Sequence, residues 1–79
     1  MSPTLFREGP FRFFFFSREE PRRHVHVFSP EGEAKFRLKP SVKLAVAKGV
    51  SDASLKRMEG IINDRKEEII DAWNRHFSS

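Results

Sequence analysis

The chain changes its hydrophobic period once, near residue 50. Before that point apolar and polar positions alternate in short runs, "TLFREG" (4–9), "FRFFFFS" (11–17), "HVHVFS" (24–29) and "EAKFRLK" (33–39), which is the period of half-buried strands. Gly9-Pro10 ends the first run and Pro30-Glu31-Gly32 divides the last two; the proline pre-sets φ and the glycine is free to take positive values. These runs predict an antiparallel meander. "VKLAVAKG" (42–49) is ambiguous, because Val42, Leu44 and Val46 alternate as in a strand while the alanines also suit a helical turn. The alternation favours a fourth strand.

After Gly49 the period lengthens. Ser51 suits an N-cap, and Asp52 in the first turn complements the helix dipole. On a helical wheel Leu55, Met58, Ile61, Ile62, Ile69, Ala72, Trp73 and Phe77 fall within one half, opposite Arg57, Asp64, Glu67, Asp71 and Arg75. Arg65 and His76 intrude on the apolar arc, and Arg65 can bury its methylenes while its head stays wet. The pattern predicts a single α+β domain over residues 1–79: an antiparallel sheet of three to four strands, at about 4–48, packed by one long C-terminal helix at about 52–77.

The phenylalanine run carries more apolar surface than one helix covers. Alternation puts Phe11, Phe13 and Phe15 on one face and Arg12, Phe14 and Phe16 on the other. The in-phase trio is assigned to the core under Leu55, Ile62, Ile69 and Trp73. Phe14 and Phe16 then need a second cover. Either the N-terminal arm with Leu5 and Phe6, or segment 42–48, folds over them, or they form an interface in a homodimer or with a partner protein.

Composition narrows the classes. Cysteine is absent, which excludes a disulfide scaffold, a cysteine-rich zinc site and thiol catalysis. No stretch is long enough for a signal-peptide core or a membrane helix, so the expectation is a cytoplasmic soluble protein without membrane contact. Lys and Arg exceed Asp and Glu by 15 to 11, for a net charge of +4. The excess lies before residue 48, a distribution that permits nucleic acid or an acidic partner.

The histidine pair is the best chemical candidate. In a strand, His24 and His26 share a face about 6.6–7 Å apart, where imidazoles can bind phosphate or act as acid and base. A metal needs further ligands; His76, Glu19, Glu20 and Glu33 are present in the sequence, but no spacing fixes them nearby, so neither metal nor cofactor is expected. If strands 24–28 and 33–39 pair, Lys35 and Arg37 fall beside the histidines, and Arg22 and Arg23 extend the basic strip. Phe28 offers a ring for stacking an unpaired base, although a lone aromatic is more often a core residue. The alternative is that both histidines are partly exposed strand residues bonded to neighbours. No Gly-rich phosphate loop, serine nucleophile elbow or metalloprotease motif is present.

Met1-Ser2-Pro3-Thr4 with Phe6-Arg7, the His24-Val25-His26-Val27 pair, Gly32-Glu33-Ala34-Lys35 and Trp73 together resemble the small bacterial proteins of domain of unknown function 4160, over nearly the whole chain. Arg22-Arg23 depart from the small residue or proline expected before the histidines, and "PSVKLAVAKG" is less polar than that stretch usually is. The resemblance implies a member of a small gene pair with toxin–antitoxin-like roles. Together with the residues it leads to an interaction or regulatory module, encoded beside a small protein partner, whose basic His/Arg surface contacts that partner or nucleic acid. The alternative is a metal-independent ribonuclease using His24 and His26.

Overall fold

The computed structural model describes residues 4–15 and 24–77, with only the backbone of Phe77. Five strands, β1 (Thr4–Glu8), β2 (Phe11–Phe14), β3 (His24–Phe28), β4 (Glu33–Arg37) and β5 (Lys43–Lys48), form one antiparallel sheet in sequence order. Two helices follow, α1 (Asp52–Asp64) and α2 (Lys66–Phe77). The α+β architecture and the meander are as the period predicts. The strand count is five rather than three to four, because both the opening run and the ambiguous "KLAVA" stretch pair as edges.

The turns follow from local chemistry. Glu8 pairs with Phe11 across Gly9-Pro10. Gly9 takes φ 59° and Pro10 cannot take a positive φ, which leaves a type II′ hairpin turn. Between β3 and β4, Ser29 and Gly32 exchange backbone hydrogen bonds of 2.9 and 3.2 Å, and the Ser29 hydroxyl donates to the Gly32 carbonyl at 3.0 Å. Gly32 lies against the chain at Lys48, where any Cβ would collide with the Lys48 carbonyl oxygen.

The predicted single helix is broken at Arg65, which leaves helical geometry at φ −113° and ψ 24° while its N–H still donates to the Ile61 carbonyl. No proline or glycine sits at the break. Instead the Arg65 side chain turns back to β1: its guanidinium lies 3.4 Å over the Phe6 ring, donates to Glu68 at 3.0 and 2.8 Å and to Glu8 at 3.3 Å. The bend lets two apolar pairs, Met58 with Ile62 and Ile69 with Trp73, both join the core against the sheet. Ser51 caps α1, accepting from the Ser54 N–H at 3.2 Å. Acidic Glu67 and Glu68 open α2, and Arg75 and His76 close it, each end matching the dipole.

The core forms between the helices and one sheet face. Phe11, Phe13 and Phe15 are buried there as assigned, with Val25, Val27, Phe36, Met58, Ile62, Ile69 and Trp73. Phe13 stacks on Phe6 at 4.6 Å, and Phe15 meets Trp73 edge-on at 5.2 Å, geometries that aromatic quadrupoles favour. Leu5 and Phe6 join this same cluster. The N-terminal run is thus an edge strand on the helix side and not a cover for the opposite face.

Candidate functional site: the open sheet face

Cross-strand register builds the second face, opposite the core. Arg12 pairs with Phe28 and Phe14 with His26; His24 pairs with Arg37, His26 with Lys35 and Phe28 with Glu33. The predicted meeting of the histidines with Lys35 and Arg37 on one surface is therefore what the strands produce, each imidazole directly opposite a cation. Arg22 and Arg23, the rest of the predicted strip, lie outside the described residues, as does Phe16.

The two histidines differ in access. His24 is 3% exposed, its ring centroid 5.3 Å from that of His26 and 5.7 Å from that of Trp73. His26 is half-buried and stacks on Phe14 at 5.5 Å. Phe14 itself corrects an expectation. Its ring is 7% exposed within the chain, with the Arg12 guanidinium 4.6 Å above it and His26 beside it, so it is not a ring left open to water.

The open apolar side chains sit elsewhere. Phe28, Leu44 and Val46 are 49%, 44% and 43% exposed. Leu44 and Val46 do not share a face, although they alternate in sequence. A bulge in β5 sets Leu44 opposite the core residue Phe36, whereas Val46 stands opposite Lys35 on the outer face. Val46 there joins Phe14, His26, Glu33, Lys35 and Lys48 around a shallow cavity of about 210 Å³. Sequence reasoning missed Val46 and Lys48 as neighbours of His26, because the bulge that puts them there leaves no mark in the residue pattern.

Glu31 was also missed. Its carboxylate accepts from the Ser51 N–H at 2.8 Å and from the Ser54 hydroxyl at 2.8 Å, tying the β3–β4 turn to the start of α1. Those two hydrogen bonds, first the backbone one, hold its carboxyl below the usual carboxylate range. The Arg65 guanidinium does the same for Glu68, by hydrogen bonding and then by charge.

Among the described residues no three His, Asp or Glu side chains come together in a way that holds a metal ion, and no helix is long and apolar enough to cross a membrane. A family model described as Domain of unknown function (DUF4160) matches residues 11–74. No curated protein and no solved structure matches the chain.

Proposed function

The chain belongs to the DUF4160 family, whose description assigns no activity, and from its open basic sheet face we propose that it is a small bacterial interaction module, one member of a toxin–antitoxin-like pair, that contacts single-stranded RNA. The observation that carries this reading is the register that sets His26 opposite Lys35 and His24 opposite Arg37 beside the half-exposed Phe28 ring. Lys35, Arg37 and Arg12 supply phosphate contacts, while Phe28 and His26 offer ring faces to unstacked bases. Phosphate contacts give affinity, and the exposed part of the sheet face presents them to an extended strand.

The test is fluorescence anisotropy with a labelled single-stranded oligoribonucleotide over a potassium chloride series. Three phosphate contacts give a slope of log affinity on log salt of about −2, and the double variant Lys35→Glu/Arg37→Glu loses most of the binding. Binding that is absent at low salt, or flat across the series, overturns the reading. The ribonuclease reading has less support, because His24, half of its acid–base pair, is closed off at 3% exposure. Recovery of intact RNA after incubation separates the two.

A further inference from the structure

Strand β5 is one edge of the sheet and is exposed along its whole length, on both faces: all six residues from Lys43 to Lys48 are open to solvent. Among the described residues it pairs only with β4, and Leu44 is 44% exposed even though it stands on the core face opposite Phe36. An edge of this length, apolar in its middle, is a template for another strand, and proteins that keep such an edge to themselves blunt it. Here the charges lie only at the ends, at Lys43 and Lys48.

Those charges decide the occupant. Antiparallel pairing of β5 with a second copy in the full-length register sets Lys43 of each chain opposite Lys48 of the other, so like charges meet at both ends. Within the sheet, Lys43 already faces Arg37, which concentrates positive charge at that end with no ion pair to either residue among the described ones. Lys48 faces Glu33. An incoming strand with an acidic residue at each end relieves the Lys43 end and pairs both lysines, while its apolar middle covers Leu44 on one face and Val46 on the other.

We propose that β5 is a strand-addition site that docks an extended segment of a partner protein, apolar in its middle and acidic at both ends. This rests on the reading of the chain as an interaction module, but it uses the backbone edge of β5, which adjoins the proposed RNA face at Val46 and Lys48. Main-chain hydrogen bonds supply the affinity and the lysines supply the selectivity.

The probe is a blocked pentapeptide of three valines between two terminal glutamates, the number of residues with which β4 spans Lys43–Lys48, titrated into the full-length isotope-labelled protein and followed by amide shifts and amide hydrogen exchange. Protection confined to residues 43–48 and their β4 neighbours is expected, and the same peptide with terminal lysines binds about tenfold more weakly. The charge-swapped protein Lys43→Glu/Lys48→Glu, altered only at exposed positions, reverses that preference. Equal binding of both peptides, protection elsewhere or no protection overturns the proposal. So does a concentration-dependent dimer whose β5 amides are protected without peptide, since that makes a second copy the occupant. RNA added to the same sample reports on His26 and Phe28, which lie on β3 away from the β5 edge, so a failed RNA contact and a failed strand site give different spectra.

Discussion

Ser54, in the first turn of α1, donates its hydroxyl to the Glu31 carboxylate at 2.8 Å across 23 positions of sequence. With the Ser51 N–H on the other carboxylate oxygen, this contact clasps the β3–β4 turn to the helix start and fixes where α1 leaves the sheet. The ionised form of Glu31 is the one that accepts both bonds, which lowers its pKa in the folded state. A lowered folded-state pKa means stability that is present above the unfolded carboxylate value and lost as pH falls through the lowered one. Thermal melts between neutral pH and pH 3 should therefore show Glu31→Gln less stable than the parent at neutral pH, with the two curves converging on the acid side. A gap that stays constant with pH would show that the charge on Glu31 does not matter.

Arg65 answers to a different geometry. Its planar guanidinium lies on Phe6 and forks toward Glu68 while reaching Glu8. Lysine keeps the charge but can neither stack as a plane nor fork. Because the ion pairs are largely exposed, most of the loss comes from the stacking, and Arg65→Lys is expected to cost about 1 kcal/mol. That corresponds to roughly 4–8 °C in the melting temperature of a domain this size. The loss should persist at high salt; one that disappears there would assign the effect to the ion pairs alone.

What the sequence disclosed and what it hid divide along the distance over which each feature is encoded. The trio Phe11, Phe13 and Phe15, the Ser51 cap and the His24/His26 parity depend on residues a few positions apart, so period and propensity suffice to place them. The helix break at Arg65 depends on Phe6 and Glu8, more than fifty residues upstream, and nothing inside the helical stripe announces it. Likewise the Glu31 clasp needs the turn and the helix to be brought together first. On the candidate site, the facing of His26 and Lys35 was legible because hairpin register follows from the Pro30-Glu31-Gly32 turn. The burial of Phe14 was not, since contacts to its ring such as those of Arg12 and His26 form only once the side chains of this face are assembled.

Two glycines give opposite signs. At Gly32 an added Cβ meets the Lys48 carbonyl, which is backbone and cannot swing aside, so Gly32→Ala is expected to cost about 2 kcal/mol or more. At Gly60 a Cβ meets nothing within 4 Å on the exposed side of α1. There alanine removes the entropic disadvantage of glycine and should stabilise by about 0.5–1 kcal/mol. Urea denaturation of the two variants checks both values. A neutral Gly32→Ala would mean that the β3–β4 turn and the chain at Lys48 separate without cost.

The unequal burial of the two histidines separates folding from binding. His24 fills space between His26 and Trp73 at 3% exposure, so truncation to alanine leaves a gap beside Trp73 and is expected to cost about 2 kcal/mol. His26 is half-buried, and its loss removes the stacking on Phe14 and the edge contact with His24, a cost below that of the buried His24. In the RNA anisotropy measurement the order reverses. His26→Ala weakens binding because its ring stands on the open face beside Lys35 and Phe28, whereas His24→Ala, measured well below its unfolding temperature, binds nearly as the parent does. Equal losses of stability in the two variants would contradict the packing assigned to His24. Unchanged RNA affinity in His26→Ala would remove His26 from the contact surface and leave Phe28 as its only stacking group.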